Sequence, residues 1–313
     1  MTLSRRGFVG GSLMSGLALG VSGCVPPDQS PAGRFVAQLR IIEAEADGAL
    51  GVEIYDTGTR RSVGLNSNRR FGHCSSFKLS LAAKVLAEDA RGLIDADRRV
   101  MWTADDLMSV SPFTKQHLGE GATLRELARA TQITSDNTAA NVLLRELGGP
   151  SALTGFWRTI GDEVSRLDRI EPYLGNVPVT EFRDTTTPAA MARTVAKLLY
   201  GDAMPTAQRE TLKQWMVETK TGLRRVRAGL PENWLAGDKT GTSIWPGMGS
   251  LFVDIGFVEP AAESDFTPAP ITYAAYFRTR EPKDGMDPAA ENALAKVGGV
   301  IATFGEKQDW FPF

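Results

Sequence analysis

Strand-like segments lie near both ends of the chain, and helical segments fill the region between them. Residues 50–55 and 61–65 carry strand-type sequence on either side of a turn, which predicts a hairpin near the N-terminus. Residues 251–258 and 271–277 predict two more strands. Strands this far apart bury their apolar faces most simply in one shared sheet. We therefore predict an α/β fold of the α+β type, in which an antiparallel sheet built from both termini carries flanking helices and an inserted all-helical region.

Apolar residues at helical spacing mark the helices. They are predicted near residues 34–46, 75–87, 123–130, 137–147, 188–199, 206–220 and 288–302. A polar stretch without periodicity, residues 169–187, interrupts them, and a loop of that length in a compact domain is usually functional. The predicted α/β part comprises residues 34–73 and 218–313, and the predicted all-helical part comprises residues 74–217. We expect one catalytic unit with its active site between the two parts.

The composition limits the classes of protein that the chain can be. Its 313 residues are 42% hydrophobic and 23% charged, as in globular proteins with one large domain or two closely packed ones. The formal net charge of −2 argues against a nucleic-acid partner. Two histidines and two cysteines, at no metal-type spacing, predict neither a metal site nor a cofactor and disfavour a Ser-His-Asp triad. Nothing in the sequence indicates an oligomer, so we expect a monomer.

Residues 1–24 have the character of a targeting signal. The sequence SRRGFV at residues 4–9 resembles a twin-arginine export signal, and the apolar stretch after it is too short to span a membrane. Residues 21–24, VSGC, resemble a lipobox, which would make Cys24 a lipidated first residue followed by a tether at residues 25–33. Ordinary cleavage that discards Cys24 is the alternative. Either outcome predicts export to the periplasm, with a membrane tether if Cys24 carries lipid.

A serine and a lysine three residues apart begin the second predicted helix. Because residues i and i+3 share a helix face, Lys78 places its amine beside the Ser75 hydroxyl and can polarise or deprotonate it. The helix N-terminus also favours negative charge that develops at Ser75. Taken alone the pair is a weak signal, because most such pairs are solvated helix faces. Cys74, which precedes the serine, is either a second nucleophile or a small packed side chain, and we favour packing.

Two further motifs supply polar groups that could serve this serine. Ser135-Asp136-Asn137 lies between two predicted helices, where it forms a simple helix N-cap or supplies functional groups. In the functional interpretation, Ser135 gives a proton-shuttling hydroxyl and Asn137 gives a substrate-binding amide. Glu171 lies in the long polar loop. Most loop glutamates are only solvated, but a serine acyltransferase that must hydrolyse its ester needs a base to activate water.

The triplet Lys-Thr-Gly occurs twice. Residues 239–241 lead through a glycine-rich turn into a strong strand, as the edge strand of a pocket should, and Gly241 would leave that edge bare for a ligand. Residues 220–222 end a helical stretch, where a cation favours the C-terminal dipole. We therefore assign the site to Lys239 and a structural role to Lys220.

These motifs, in this order, resemble those of the class A serine β-lactamases. The resemblance extends from about residue 34 to residue 305 and includes SDNTAANVLL at 135–144, LDRIEPYL at 167–174 and RDTTTP at 183–188. The loop with Glu171 separates this family from the penicillin-binding proteins, which share the other motifs but have no such deacylating glutamate.

The resemblance implies an enzyme that hydrolyses the β-lactam amide of penicillin- and cephalosporin-type antibiotics. Ser75 would attack the lactam carbonyl, with Lys78 or Glu171 as the acylation base, an assignment that is disputed. Ser135 would protonate the departing ring nitrogen. Backbone N–H groups of Ser75 and Thr242 would form the oxyanion hole. Glu171 would then activate the water that cleaves the acyl-enzyme.

The resemblance also assigns roles to residues that bind substrate or hold the site. The implied substrate-binding set is Asn137, Arg225, Lys239, Thr240, Gly241, Thr242 and Ser243. Within it, the Lys-Thr-Gly strand would bind the substrate carboxylate, and Asn137 would hold the acylamino side chain. Arg169 and Asp184 resemble the salt bridge that closes the loop carrying Glu171.

The sequence departs from the family pattern at three positions. Gly175 stands where the family commonly has an asparagine that helps to hold the hydrolytic water, which predicts slower deacylation of bulky substrates. No arginine follows the Lys-Thr-Gly strand. Arg225 resembles the alternative source of that charge, although a solvated basic face would also explain it. Ser243 occupies the position of a cysteine that pairs with the Cys74 position in some carbapenem-hydrolysing members.

Two other functions share part of this machinery. A D-alanyl-D-alanine carboxypeptidase or penicillin-binding protein uses the same acylating residues, and Glu171 argues against it. The second is a lipid-tethered β-lactam-binding protein that is acylated without turnover, and Gly175 is the only residue that favours it.

Overall fold

The structure, a computed structural model, describes residues 30–262 and 267–306. Its strands are β1 (Gly48–Asp56), β2 (Ser62–Leu65), β3 (Phe71–Gly72), β4 (Arg99–Val100), β5 (Ala122–Thr123), β6 (Thr185–Thr186), β7 (Leu235–Ser243), β8 (Leu251–Glu259) and β9 (Ile271–Thr279). Its helices are α1 (Pro31–Glu45), α2 (Phe77–Ala90), α3 (Pro112–Gln116), α4 (Leu124–Ile133), α5 (Asn137–Glu146), α6 (Gly149–Thr159), α7 (Pro188–Tyr200), α8 (Thr206–Glu218) and α9 (Pro288–Gly305). The predicted export signal, with Cys24, and most of the predicted tether lie outside the described residues. No helix within the described ranges is long and apolar enough to cross a lipid bilayer.

Five strands form one antiparallel sheet in the order β2-β1-β9-β8-β7. β1 pairs with β9 along its whole length, from Gly48 opposite Thr279 to Asp56 opposite Ile271, and so joins the N-terminal hairpin to the C-terminal strands. β7 forms one edge of the sheet. The prediction of an antiparallel sheet built from both termini is confirmed, and so is the edge position of the strand that carries Lys239.

Helices cover both faces of this sheet. Phe35, whose spacing helped to predict α1, packs edge to face against Phe304 of α9, with 5.5 Å between the ring centroids. Along β8 the side chains alternate: Val253 packs with the helical region, and Phe252 packs with α1 and α9. β8 is buried on both faces for this reason, as a central strand between two helical layers should be.

The region between β2 and β7 is mainly helical. α2 runs through its middle and is buried from Phe77 to Ala87. A capping box begins α4, because Thr123 and Glu126 each accept the other's backbone N–H. Three two-residue strands, β4, β5 and β6, also lie in the stretch that was predicted to be all-helical. The division of the chain into two parts stays a prediction.

Periodicity did not predict α3 or α6. α5 ends just before the Gly-Gly-Pro sequence at residues 148–150. The same sequence also begins α6, because Gly148 turns the chain with a φ of +92° and Pro150 fits the first turn of a helix.

A short strand pair fastens the long polar loop next to Ser75. β6, at the end of that loop, pairs with β3, which lies just before Ser75 in the sequence. The N–H of His73 also donates to the carbonyl of Asp184 (2.9 Å). The end of the loop is therefore fixed to the segment that leads into α2.

Candidate active site

Ser75 lies in one turn of 3-10 helix, Cys74–Ser76, directly before α2. Cys74 has a φ of +47°, a left-handed conformation that is costly for a residue with a side chain. The Ser76 hydroxyl donates to the carbonyl of His73 (2.7 Å) and helps to hold the turn. Both neighbours of Ser75 are buried, and Ser75 itself is half-buried. Buried contacts thus fix the backbone of a serine that keeps access to solvent.

Lys78 contacts Ser75 as the i,i+3 spacing predicted. Its Nζ lies 3.0 Å from the Ser75 hydroxyl oxygen, and the whole residue is buried. The same ammonium donates to the carbonyl of Ser135 (3.0 Å). The contact gives the serine a nitrogen that can exchange a proton with it.

Glu171 approaches the same hydroxyl from the long polar loop. Its Oε1 lies 3.4 Å from the Ser75 hydroxyl oxygen and 3.0 Å from Lys78 Nζ. Asn141, on α5, accepts the N–H of Glu171 and donates to its carbonyl, each at 3.0 Å. The backbone of the glutamate is therefore held on both sides. Sequence reasoning missed Asn141, although its position one helical turn after Asn137 could have shown that both share a face.

Ser135 lies between two lysines. Lys239 Nζ is 3.1 Å from the Ser135 hydroxyl oxygen, and Lys78 Nζ is 3.5 Å from it. Ser135 has a φ of +58°, so its backbone is also held in the left-handed region. A hydroxyl between two amines can pass a proton from one partner to another.

The Ser-Asp-Asn triplet does cap a helix, while the functional roles of Ser135 and Asn137 stay predictions. Asp136 is the N-cap of α5, and its carboxylate accepts the N–H of Ala139 (2.8 Å). Asn137 Oδ1 accepts a hydrogen bond from Lys78. The side-chain amide NH₂ of Asn137 has no hydrogen-bond partner within the described ranges, which leaves a donor for a substrate carbonyl.

The backbone of β7 passes directly beside Ser75. A Cβ atom at Gly241 would lie 2.8 Å from Cys74 Cβ and 3.0 Å from the backbone nitrogen of Ser75. From the sequence, Gly241 was predicted to keep the strand edge bare for a ligand. The structure adds a packing reason, because only a glycine lets β7 approach the Cys74 turn this closely. An oxyanion hole built from the N–H groups of Ser75 and Thr242 fits this approach and stays a prediction.

The two Lys-Thr-Gly triplets have different environments. Lys239 is buried, and desolvation, followed by the nearby charge of Lys78, lowers its pKa well below the ordinary lysine value. Lys220 is exposed and follows the end of α8. Thr221, which sequence reasoning left unused, bonds through its hydroxyl to the hydroxyl of Thr240 (2.7 Å). The second triplet therefore contacts the first without supplying a lysine to it.

Arg225 is not part of a solvated basic face. It is 2% exposed, and its Nη1 donates to the carbonyls of Gly241 (2.9 Å) and Val253 (2.6 Å). Its Nη2 donates to the Thr242 hydroxyl (2.7 Å). Burial lowers the pKa of the guanidinium. The adjacent Arg224 has a side chain that is 74% exposed, so the solvated interpretation suits that residue only.

The ion pair predicted to close the loop is present. Arg169 Nε donates to one carboxylate oxygen of Asp184, and the other oxygen accepts the N–H groups of Asp168 (2.7 Å) and Arg169 (2.9 Å). Ser243, predicted to bind substrate, donates its hydroxyl to the carbonyl of Gly175 (2.7 Å). The end of β7 is therefore bonded to the loop at the position where the family asparagine is missing.

Cys74 has the environment of a packing residue. It is 3% exposed, and burial raises the pKa of its thiol to about 12. Since the thiolate is the nucleophilic form, this thiol is a poor competitor of Ser75.

Comparisons with known proteins agree with this arrangement. A model of the β-lactamase enzyme family matches residues 34–304. β-Lactamase L2 of Stenotrophomonas maltophilia is 39% identical over 269 residues, which cover 79% of this chain and 88% of the relative. A β-lactamase of Mycobacterium tuberculosis is 41% identical over 235 residues, covering 73% of this chain and 76% of the relative. Among solved structures, an ancestral class A β-lactamase superposes with a TM-score of 0.80 and 44% identity, covering 86% of this chain and 99% of the other. A β-lactamase from Xanthomonas campestris gives a TM-score of 0.80 and 37% identity, covering 87% and 97% of the two chains.

Proposed function

The chain belongs to the β-lactamase enzyme family and resembles its class A members throughout, and we propose that it hydrolyses the β-lactam amide of penicillin- and cephalosporin-type antibiotics. One geometric relationship carries the proposal. The Ser75 hydroxyl contacts Lys78 at 3.0 Å and Glu171 at 3.4 Å. A serine placed between an amine and a carboxylate has a base available for each half of an acyl-transfer hydrolysis.

In the first half, the Ser75 oxygen attacks the lactam carbonyl carbon. Its proton passes to Glu171, or to Lys78 once the lysine has given a proton to Glu171 across their 3.0 Å contact. The N–H groups of Ser75 and Thr242 stabilise the oxyanion of the tetrahedral intermediate. The carbon–nitrogen bond then breaks, and Ser135 donates its proton to the ring nitrogen. Because Lys78 also reaches the Ser135 hydroxyl at 3.5 Å, the proton taken from Ser75 can replace the one that Ser135 gives up.

In the second half, Glu171 takes a proton from a water molecule whose oxygen attacks the ester carbonyl. The bond to the Ser75 oxygen breaks, and Glu171 passes the proton to that oxygen, which restores the serine hydroxyl. The two hydrogen bonds from Asn141 to the backbone of Glu171 support this role, because they hold the base beside the ester.

Substrate binding is proposed for the strand and for Asn137. The ammonium of Lys239 and the hydroxyls of Thr240 and Thr242 supply charge and donors for the substrate carboxylate. Arg225 adds positive charge from behind the strand through its bond to Thr242. Gly241 and Ser243 belong to the same strand, whose backbone passes beside Ser75.

The alternatives are not favoured. A carboxypeptidase or penicillin-binding protein would not need Glu171, and this chain holds that residue against Ser75 and Lys78. A β-lactam-binding protein without turnover rests on Gly175 alone. The similarity to β-lactamases over most of the chain supports an enzyme that turns over.

The function can be tested by measuring the intact mass of the protein over time after a penicillin, a cephalosporin or a carbapenem is added. Hydrolysis of each compound is measured in parallel. We expect transient adducts with turnover in the wild-type protein, a lasting adduct on Ser75 in Glu171→Gln, and neither in Ser75→Ala. A persistent one-to-one adduct of the wild-type protein with every compound would overturn the proposal and point to a binding or sensor role.

We also propose export through the twin-arginine signal and lipidation at Cys24, which rest on the sequence of residues 1–24 alone. Replacing Arg5 and Arg6 by lysine should keep the precursor in the cytoplasm. Cys24→Ala should release the mature protein from the membrane fraction. Recovery of the wild-type protein entirely in the soluble periplasmic fraction would contradict lipidation.

A further inference from the structure

Three successive carbonyls of the loop that carries Glu171 each accept a hydrogen bond from a side chain. The carbonyls of Gly175, Asn176 and Val177 accept from Ser243 (2.7 Å), Arg169 (2.9 Å) and Arg278 (2.8 Å), respectively. Arg169 belongs to the loop itself and closes it on Asp184. The other two donors come from the sheet, so they bind the closed loop to the rest of the protein.

Arg278 is an unusual donor because its charge is buried without an acid. It lies near the end of β9, is 7% exposed and forms no ion pair within residues 30–262 and 267–306. Besides Val177, its guanidinium donates to the carbonyl of Gly249 (3.4 Å) and approaches the sulfur of Met248 at 3.9 Å. Burying a charge among neutral acceptors is costly, so the position gains little stability that an apolar residue could not supply.

The two carbonyls that Arg278 contacts belong to different segments of the chain. Val177 is two residues beyond the 3-10 turn that follows Glu171, and Gly249 lies in the connection between β7 and β8. A single guanidinium thus spans the Glu171 loop and the connection that leaves the Lys239 strand. The planar fork of arginine suits this double contact, which a lysine could make only in part.

The side chain of Val177 fixes the same arm of the loop against the sheet. Val177 is 2% exposed, and a Cβ atom at Gly72 would lie only 3.1 Å from it. The arm is therefore packed on β3 by its side chain and bonded to β9 by its carbonyl. Loss of the Arg278 bond would leave a buried carbonyl without its donor, which favours displacement of the arm.

We propose that Arg278 is a positioning residue for Glu171. Through Val177 and Gly249 it holds the loop of the base against the sheet, and so fixes Glu171 relative to the ester on Ser75. This role rests on the proposed hydrolytic function. Ser75 and Lys78 stand on the segment that begins α2, whereas Glu171 stands on the loop itself. Loosening the loop should therefore slow deacylation more than acylation.

The test is Arg278→Met, which keeps a long side chain but removes both hydrogen bonds. During turnover of a penicillin, we expect acyl-enzyme to accumulate and kcat per titrated active site to fall about tenfold, as for a lost charge-assisted bond. KM should fall with kcat, because a slow second step lowers both, so kcat/KM changes less. Arg278→Lys should have a kcat between those of the wild-type protein and Arg278→Met. Amide exchange in residues 167–184 should be faster in Arg278→Met than in the wild-type protein.

Arg209→Met is the matched control, since Arg209 also donates to a backbone carbonyl, that of Gly201, but contacts no residue of the loop. It should behave as wild type. The proposal would be overturned if Arg278→Met kept the wild-type kcat per active site and KM and showed only a lower melting temperature or fewer active sites. If Arg278→Met does not fold, the same outcome in Arg278→Lys would overturn it. Failure of the proposed function is separate, because it would appear as a persistent adduct in the wild-type protein.

Discussion

Glu171 and Lys78 form a buried ion pair, with 3.0 Å between the carboxylate oxygen and the ammonium nitrogen. The lysine side chain is fully buried and the glutamate side chain is 9% exposed. Each partner therefore compensates the other's charge, and both contact the hydroxyl of Ser75. The two candidate bases therefore contact each other as well as the serine, and a substitution of one removes a charged partner of the other.

Separate substitutions of the pair should affect different halves of the reaction. Lys78 is the nearer of the two to the serine oxygen, so Lys78→Met should slow the acylation burst by about 10²- to 10⁴-fold, the usual range for a lost general base. Glu171→Gln should slow deacylation by a similar factor. Burst kinetics with a chromogenic cephalosporin measure both steps. A wild-type burst rate in Lys78→Met would assign the acylation base to Glu171 instead.

Gly175→Asn should speed deacylation of poor substrates about fivefold, because an added amide can hold the attacking water by one hydrogen bond. The side chain enters a restricted space, since a Cβ atom at Gly175 would lie 3.1 Å from the Ser243 hydroxyl. That hydroxyl must shift by a few tenths of an ångström. The deacylation rate of an isolated acyl-enzyme measures the gain.

Gly175→Ala is the control for this substitution, because it adds the same Cβ atom without the amide. We expect no acceleration from it. Equal rates in Gly175→Asn and Gly175→Ala, or a deacylation rate of Gly175→Asn that matches wild type, would contradict a water-holding role at this position.

The parts of the site that sequence could predict are those with local geometry. The contact of Ser75 with Lys78 follows from helix spacing alone. The edge position of Lys239 was predicted from its local context, a glycine-rich turn that leads into a strong strand. These inferences need no knowledge of which distant segments meet, because the helix or strand already fixes the directions of the side chains.

The remaining contacts depend on segments that meet only in the folded protein. Arg224 and Arg225 are adjacent and identical in type, yet one is exposed and the other is buried behind β7, and no pattern in the sequence separates them. Asn141 was missed because its partner, the backbone of Glu171, lies 30 residues away. In the sequence, Arg278 resembles any charged residue near the end of a strand. In the structure, its guanidinium lies between two loops.

Arg225→Ala should raise KM for carboxylate-bearing substrates more than it lowers kcat, because the arginine supports Thr242 and adds positive charge near the carboxylate. It should also lower the free energy of unfolding by about 1–3 kcal/mol for each buried carbonyl left without a donor. Steady-state kinetics and urea unfolding measure the two effects. Arg224→Ala removes the same charge from an exposed neighbour and should leave KM unchanged, although it should lower stability because Arg224 pairs with the buried carboxylate of Glu291 (3.0 Å). A wild-type KM in Arg225→Ala would refute the binding role.

Gly241→Ala should reduce acylation at least about tenfold and lower the melting temperature. The new Cβ atom would lie 2.8 Å from Cys74 Cβ and 3.0 Å from the Ser75 nitrogen, so β7 or the serine turn must move. Gly299→Ala is the matched control, since the Cβ site at this helical glycine has no neighbour within 4 Å. It should raise stability by about 1 kcal/mol, the helix-propensity difference. Unchanged acylation in Gly241→Ala would show that the close approach is not required.

The lowered pKa of Lys239 predicts two opposite effects of raising the pH. Burial, reinforced by the charge of Lys78, favours the neutral amine in the folded protein, so Lys239 titrates below the ordinary lysine value of about 10.4. Between the folded and the unfolded pKa values the unfolded chain binds more protons, so the free energy of unfolding should rise with pH across that window. This contribution is complete above the unfolded pKa and is lost as the pH falls through the folded pKa. Binding of a substrate carboxylate should weaken over the same window, because the ammonium that attracts it disappears.

The variant Lys239→Arg distinguishes the effects of Lys239 from those of other groups that titrate at alkaline pH. A guanidinium stays charged throughout this range, so the rise of KM for an anionic substrate should disappear in the variant, although its KM at neutral pH can differ from that of the wild type. The rise in unfolding free energy should disappear as well. KM from initial rates and urea unfolding, each measured from about pH 5 to about pH 10, give the two profiles. A wild-type KM that stays constant across this range would mean that carboxylate binding does not depend on the charge of Lys239, and would shift that role to Arg225 and the hydroxyls of the strand.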